Sequence, residues 1–299
     1  MRTLRRSLAG MVIAVMVGVL PLGAAAQTDG DDPADATADS PGEVTVVRDL
    51  VYATGSASDE ATELELSVHL PAGNEDAPMV IDVGGTVNPQ TLAERGVSVF
   101  RPDYPADQIG MVLYLADPTA LRQMVEAVAC AVRFARGSEY GSETAPLVLT
   151  GFSTDGGPPA HVALAGASFD RVWDEYAESG GGPPAQYDCT ASEASSRVDG
   201  FAGIAGAYDL FVGYGRDFWP EREPDLWETL YGTVGLHPEL RVRLIHGASD
   251  DVIPLENSAG FEAVLTEAGY DVELIEIAGG HFAATDDLVV ETVMELIAQ

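Results

Sequence analysis

Four hydrophobic runs in the second half of this chain are typical of β-strands, and each ends in glycine. They are APLVLTG (145–151), VDGFAGIAG (198–206), RVRLIHG (241–247) and YDVELIEIAGG (270–280). Strands that alternate with helical segments predict a mostly parallel sheet with helices on both faces. Ligands of such sheets bind beside the carboxyl ends of the strands. The loops that follow Val83, Gly151, Gly247 and Ala278 are therefore the places to examine for function.

The first half of the chain adds strands of a different kind. Residues 43–54 and 62–70 alternate apolar and polar side chains, which predicts half-exposed antiparallel strands at a sheet edge. Residues 78–85 and 97–103 are compact apolar strands. The segment from Pro118 to Arg136 has apolar residues at helical spacing and predicts a helix with one buried face. A final amphipathic helix is predicted from about Asp286 to Ala298.

The amino terminus has the features of an export signal. Residues 1–26 combine a basic start, an apolar run and the small residues Ala24, Ala25 and Ala26, which predicts a secretory signal peptide. The alternative, a retained membrane anchor, is disfavoured because the run is shorter than the ~20 residues that a spanning helix needs. Residues 27–42 predict a disordered acidic leader, and residues 43–299 one folded domain. We expect a secreted or extracytoplasmic protein without stable membrane association after cleavage.

The chain is strongly acidic, with a formal net charge of −33, and all 15 basic residues are arginine. Nucleic acids and anionic membranes repel such a surface, so neither is an expected partner. Two alternative interpretations of this charge are adaptation to a salty exterior and the amino-acid composition typical of proteins from a GC-rich genome. Neither explanation names a substrate, and nothing in the sequence indicates the oligomeric state.

Three of the strand ends carry the side chains that nucleophilic catalysis needs. Ser153 follows LVLTG, Asp250 and Asp251 follow RLIHGAS, and His281 follows ELIEIAGG. A serine hydroxyl is nearly inert at neutral pH, so it needs a histidine to take its proton and a carboxylate to orient the ring. The chain order of serine, aspartate and histidine is the order found on the α/β-hydrolase sheet.

Three motifs resemble those of the α/β-hydrolase superfamily, in particular its secreted carboxylesterases and lipases. HGASDDVIP (246–254) resembles the segment that bears the acid, GGHF (279–282) the terminal histidine turn, and GVSVFRPDYP (96–105) the strand after the oxyanion loop. The resemblance covers nearly all of the chain from Glu43. It implies an α/β-hydrolase fold with a mostly parallel central sheet and antiparallel N-terminal strands.

The resemblance also implies roles for individual residues. It makes Ser153 the nucleophile, Asp250 the acid and His281 the base, whereas Asp251 would cap the helix that begins near Leu255. Of the other histidines, we predict a structural role for His246. His161 either packs in the helix after Ser153 or lines the pocket.

The transition state of acyl transfer needs backbone N–H donors for its oxyanion. The resemblance implies the amide of Thr154 and those of Gly84 or Gly85 for this oxyanion hole. In the loop that supplies the second donor, many family members have His-Gly-Gly-Gly, whereas this chain has Val83, Gly84, Gly85 and Thr86. A plain glycine turn is therefore an alternative interpretation of that loop.

The motif around the nucleophile departs from G-x-S-x-G, because Asp155 stands where the family has its last glycine. Gly156 and Gly157 follow at once, so we expect the turn to shift or widen by one residue. The Asp155 carboxylate would oppose a developing oxyanion. The sequence therefore predicts either a modest enzyme with narrow substrates or a hydrolase fold without activity.

The chain contains two cysteines, Cys130 and Cys189. In an oxidising compartment a disulfide between them is expected, and two separately buried thiols are the alternative. No histidine, cysteine or carboxylate cluster has metal-ligand spacing, so we predict neither a metal nor another cofactor. Residues 167–198 lie where such folds insert lids, and they include Trp173.

The sequence thus predicts a secreted serine hydrolase that cleaves small-molecule carboxylic esters through an acyl-enzyme. Two alternatives stay open. One is a non-catalytic binding protein on the same fold, and the other is a peptidase or lactone hydrolase with the same triad, because the pocket rather than the triad decides the substrate.

Overall fold

The computed structural model describes residues 43–55, 62–73, 76–103, 118–178, 187–208 and 233–298. The predicted signal peptide (1–26) and acidic leader (27–42) lie outside the described residues. None of the described helices is long and apolar enough to cross a membrane.

The order of strands and helices follows the predicted alternation. The strands are β1 (Thr45–Gly55), β2 (Thr62–Leu70), β3 (Met79–Val83), β4 (Ser98–Pro102), β5 (Leu147–Phe152), β6 (Tyr187–Cys189), β7 (Gly200–Ile204), β8 (Arg241–Gly247) and β9 (Asp271–Ile277). The helices are α1 (Pro89–Glu94), α2 (Pro118–Gly137), α3 (Gly157–Ala165), α4 (Phe169–Glu178), α5 (Leu255–Glu267) and α6 (Asp286–Ala298).

The described strands form one mixed sheet in the order β6-β1-β2-β4-β3-β5-β7-β8-β9. The six strands from β4 to β9 in this order are parallel, whereas β6, β1 and β2 are antiparallel to their neighbours. The predicted α/β class, the mostly parallel centre and the antiparallel N-terminal strands are therefore confirmed. Because β3, β5, β8 and β9 are parallel, the loops that follow them lie along the same edge of the sheet.

Helices cover both faces of the sheet and create two hydrophobic cores. Helices α2, α3, α4 and α5 contribute to the core on one face, and helices α1 and α6 contribute to the core on the other. Strand β5 contributes to both cores, because successive side chains of a strand point to opposite faces: Leu147 and Leu149 lie in the first core, and Val148 lies in the second.

Helix α2 is buried more completely than its sequence pattern predicts. Every residue from Met124 to Arg136 is buried, so the prediction of one buried face is wrong. The reason is that α2 contacts helix α3 and the edge strand β6 in addition to the central strands of the sheet. Two of its charged side chains are satisfied by hydrogen bonds: Arg136 donates to the carboxylate of Asp199 and to several backbone carbonyls, and Glu126 accepts from the Trp173 indole.

A disulfide bond joins Cys130 of α2 to Cys189 of β6. Strand β6 is only three residues long, and it extends the sheet by pairing with β1. The bond therefore fixes the edge of the sheet to the central helix of one face.

We predict that this disulfide contributes substantially to stability. The two cysteines are 59 residues apart. In the chain-entropy model, a cross-link over that length lowers the entropy of the unfolded chain and thereby stabilises the folded protein by about 4 kcal/mol. The double variant Cys130→Ala/Cys189→Ala should lose about that much free energy of unfolding in a urea titration. Wild-type protein titrated in a thiol reductant should lose a similar amount. A loss below about 1 kcal/mol in both samples would contradict the prediction.

Candidate active site

Ser153 lies on a sharp turn between strand β5 and helix α3. Its φ angle is +56°, in the left-handed region that a residue with a side chain rarely adopts, which costs roughly 1–3 kcal/mol. A 3₁₀ turn over Ser153–Gly156 leads directly into the helix. The backbone N–H of Ala207 donates to the Ser153 carbonyl at 2.8 Å and ties the turn to the loop after β7. The turn therefore presents the Ser153 hydroxyl at the carboxyl end of the sheet.

Two glycines allow this turn to form. A Cβ atom on Gly151 would lie 2.5 Å from the Asp155 carbonyl oxygen, so no side chain fits there. A Cβ atom on Gly156 would lie 3.0 Å from the Cα of Gly206. The close approach to the loop after β7 is thus made by Gly156, one residue later than in G-x-S-x-G. This is the one-residue shift that we expected from the presence of Asp155.

In the predicted triad, His281 lies within hydrogen-bond distance of both Ser153 and Asp250. His281 Nε2 is 2.8 Å from Ser153 Oγ, and His281 Nδ1 is 2.8 Å from Asp250 Oδ2. His281 is buried, and the side chain of Asp250 has no exposed surface. The partners of His281 decide its tautomer: Nδ1 donates to the carboxylate, which leaves Nε2 to accept from the serine hydroxyl.

The carboxylate of Asp250 is held by four groups. Its Oδ1 accepts from the backbone N–H groups of Val252 and Ile253, at 2.8 and 2.9 Å, and its Oδ2 faces two histidines. Burial alone would raise the pKa of Asp250, but the hydrogen bonds from His281 and the two N–H groups outweigh burial and lower it. Asp250 therefore stays ionised at neutral pH, as an acid that orients a histidine must.

The second histidine on Asp250 is His246. Its Nε2 lies 3.2 Å from Asp250 Oδ2 and 2.9 Å from the carbonyl oxygen of Ile253, and its Nδ1 lies 2.7 Å from Ser258 Oγ. His246 is fully buried, and all its partners belong to the loop after β8 or to α5. In addition to the structural role that we predicted, His246 makes a contact with Asp250 that the sequence did not indicate.

The expectation that Asp251 caps the following helix is wrong. Helix α5 has Pro254 at its N-cap position and no side-chain hydrogen bond there. Asp251 is exposed, whereas Asp250 makes the hydrogen bonds that close the loop.

The predicted oxyanion loop lies beside the turn of Ser153. Gly84 and Gly85 both have positive φ angles, +82° and +70°, which suit glycine, and both are exposed. A Cβ atom on Gly84 would lie 3.1 Å from Asp155 Oδ2, and one on Gly85 would lie 2.5 Å from a terminal guanidinium nitrogen of Arg101. The loop therefore runs between an acidic and a basic side chain, and both positions need glycine.

A buried aspartate that the sequence analysis missed supports this loop from below. Asp82 of β3 accepts from the backbone N–H and the hydroxyl of Thr86 and from the hydroxyl of Thr150 in β5. Its other oxygen lies 3.3 Å from Nε of Arg101. The network joins the glycine loop after β3 to the strand that carries Ser153. The signal was present in the sequence, because a charged residue inside a buried strand such as MVIDV is rarely left without partners.

His161 belongs to helix α3, and its side chain is buried. Burial lowers its pKa to about 3, so the ring is neutral at physiological pH. Of the two predicted roles, this burial favours packing.

We predict that His161 makes the stability depend on pH. Below about pH 6.5 the unfolded chain binds a proton at this histidine that the folded protein does not bind until about pH 3. Stability should therefore fall as the pH falls through this window, by about 1.4 kcal/mol per pH unit. In urea titrations, wild type should lose roughly 3 kcal/mol more than His161→Leu between about pH 7 and pH 4.5. Equal losses in the two proteins would contradict the prediction.

The remaining predictions concern the surroundings of the site. The described part of the predicted lid segment 167–198 consists mainly of α4 and β6, which pack against α2, α3 and β1. Trp173 is buried there and donates to Glu126. Residues 179–186 of the segment lie outside the described residues. Within the described ranges, no group of three or more potential metal ligands occurs.

Comparisons with known proteins give matches at the level of structure. No family profile matches the chain, and no curated protein matches its sequence. Among solved structures, Thermogutta terrifontis esterase 2, phosphoramylated by tabun, matches with a TM-score of 0.58 and 19% identity, over 89% of this chain and 97% of that one. A bifunctional GH43-CE protein of Bacteroides eggerthii matches with a TM-score of 0.60 and 16% identity.

The second of these proteins is much longer. The match covers 85% of this chain but only 38% of the Bacteroides protein. An acetyl ester-xyloside bifunctional hydrolase from Caldicellulosiruptor lactoaceticus also matches, with a TM-score of 0.55 and 17% identity, over 79% of this chain and 88% of that one. The chain therefore shares its fold with solved esterases.

Proposed function

We propose that this protein is a serine hydrolase of the α/β-hydrolase type that cleaves carboxylic esters of small molecules. The observation that carries the proposal is the position of His281, which bridges Ser153 and Asp250 at 2.8 Å on each side. The positive φ angle of Ser153 supports it, because such strain is characteristic of a nucleophile on a strand-to-helix turn. The names of the structural neighbours, which include an esterase and a carbohydrate esterase, point to the same chemistry.

The proposed reaction has two stages. His281 Nε2 takes the proton of the Ser153 hydroxyl as Oγ attacks the ester carbonyl, and the imidazolium then gives that proton to the leaving alcohol oxygen. The acyl group stays on Ser153 until water, activated by the same histidine, releases the acid. Asp250 keeps the ring in the required tautomer and stabilises its positive charge. No cofactor or metal is needed for any step.

The negative charge of the tetrahedral intermediate needs hydrogen-bond donors on the side of Ser153 that is opposite His281. We assign this role to the backbone N–H groups of Thr154 and of Gly84 or Gly85. The network of Asp82, Thr86 and Thr150 supports the assignment, because it fixes the glycine loop to the strand that carries the nucleophile.

We further propose that the protein acts outside the cytoplasm, as a domain formed by residues 43–299 after removal of the signal peptide 1–26. The disulfide between Cys130 and Cys189 supports this location, because structural disulfides persist in oxidising compartments.

A fluorophosphonate probe tests the proposal. It should form one covalent adduct, which peptide mass spectrometry should locate at Ser153, and the same protein should hydrolyse short-chain p-nitrophenyl esters. Amide and lactone substrates in the same panel distinguish an esterase from a peptidase or lactone hydrolase. Absence of both labelling and turnover above the Ser153→Ala variant would contradict the proposal.

That negative result is the one expected of a second candidate, a non-catalytic binding protein on the same fold. The observation that favours this candidate is the Asp155 carboxylate beside Gly84, where an oxyanion would develop.

A further inference from the structure

Two large hydrophobic side chains are exposed among the described residues, and both lie beside the triad. They are Phe282, which is 81% exposed and follows His281, and Val252, which is 44% exposed and lies two residues after Asp250. The two loops are joined by the hydrogen bond between His281 and Asp250. Exposed apolar groups scattered over a surface need no explanation, but two at the same site in so acidic a chain do.

The ring of Phe282 belongs to an aromatic wall formed by Phe152, His281 and Phe282. The ring centroids of Phe152 and Phe282 are 5.5 Å apart, those of Phe152 and His281 4.9 Å, and those of His281 and Phe282 5.0 Å. Phe152 is half-buried and packs against the core beneath α6. The aromatic wall is therefore anchored in the protein on one side and open on the other.

The mechanism decides which part of a substrate meets the aromatic wall. His281 must give its proton to the leaving oxygen, so that oxygen lies within hydrogen-bond distance of Nε2. The carbonyl oxygen points the opposite way, toward the proposed donors at Thr154 and the glycine loop. The alcohol part of the ester therefore extends along the histidine side of the site, where Phe152 and Phe282 stand.

We propose that the aromatic wall is a subsite for the leaving group and that it selects esters whose alcohol part presents a ring face. Aromatic side chains bind flat rings and the C–H faces of saturated rings through broad contact, whereas a short open-chain alcohol covers little of the wall. The inference rests on the proposed esterase function and narrows its substrate class to esters of cyclic alcohols.

Two acetates with leaving groups of similar basicity test the subsite. Cyclohexyl acetate and isopropyl acetate give the same acyl-enzyme and are both esters of secondary alcohols, so the ratio of their kcat/KM values reports leaving-group recognition. We expect Phe282→Ala to lower this ratio about three- to tenfold. Phe282→Leu should lower it similarly because leucine lacks a flat face, and Val252→Ala, the matched exposed control without a ring, should keep the wild-type ratio.

The acyl side serves as an internal control. The ratio for isopropyl butyrate over isopropyl acetate should be the same in Phe282→Ala as in wild type. A change in this ratio, an unchanged cyclohexyl preference in Phe282→Ala, or full retention of the preference in Phe282→Leu would overturn the proposal. So would a concentration-dependent dimer that Phe282→Ala abolishes, because the wall would then be a contact between copies.

Failure of this inference differs from failure of the proposed function. If only the inference is wrong, hydrolysis of both acetates still depends on Ser153, and the variants of Phe282 merely leave the ratio unchanged. If the proposed function is wrong, neither acetate is hydrolysed faster by wild type than by Ser153→Ala.

Discussion

The Ser153→Ala variant is expected to hydrolyse short-chain p-nitrophenyl esters about 10⁴- to 10⁶-fold more slowly than wild type. In the proposed mechanism no acyl-enzyme forms without the hydroxyl, and only substrate binding and the proposed oxyanion donors are left to assist attack by water. The methyl side chain leaves the turn intact, because its φ angle of +56° is imposed by the packing of Gly151 and Gly156. The loss should therefore appear in kcat with an unchanged melting temperature.

A serine outside the site provides the matched control. Ser138 lies in the connection between α2 and β5, at the end of β5 opposite Ser153, and Ser138→Ala should keep wild-type kcat. Fluorophosphonate should label Ser138→Ala and not Ser153→Ala. Residual activity within tenfold of wild type in Ser153→Ala would exclude this serine as the nucleophile.

The second large effect is expected from Asp250→Asn, which should lower kcat by a factor on the order of 10⁴. The backbone N–H groups of Val252 and Ile253 both point at Oδ1, so the asparagine must keep its carbonyl oxygen there. Its NH₂ group then replaces Oδ2 and points at His281, where it donates to Nδ1. The proton of the ring moves to Nε2, which can no longer accept from Ser153.

Asp251→Asn is the matched control for this variant. It makes the same chemical change at the next residue, on an exposed carboxylate outside the hydrogen bonds of the triad. Its kcat should stay within about twofold of wild type. Similar losses in the two variants would indicate that kcat depends on negative charge near the site rather than on the orientation of His281.

The order of elements could be predicted from the sequence because periodicity is a local property. The glycine that ends each β run and the alternation in residues 43–54 and 62–70 carry their own signals, and the final helix has the predicted bounds, Asp286–Ala298. The burial of α2 could not be predicted in the same way. It contacts α3 and β6, which are distant in sequence, and Arg136 pairs with Asp199, which directly precedes β7.

For the site, motifs located Ser153, Asp250 and His281 but not the groups that hold them. The contact of His246 with Asp250 depends on how the loop after β8 folds back on its own strand. The network around Asp82 joins β3, β4 and β5, and no spacing along the chain encodes it. The role of Gly156 was closer to prediction, because the glycine pair after Asp155 indicated a turn displaced by one residue.

The disulfide has a consequence for the integrity of the chain. Cys130 and Cys189 are 59 positions apart, and the segment between them contains β5, Ser153 and α3, so these elements lie within a covalent ring. A protease that cuts once between the two cysteines opens the ring without releasing a fragment. The nicked protein would migrate as one species without reductant and as two with it. In a surrounding rich in proteases, the strand that carries Ser153 would thus stay attached to the part of the chain that carries Asp250 and His281.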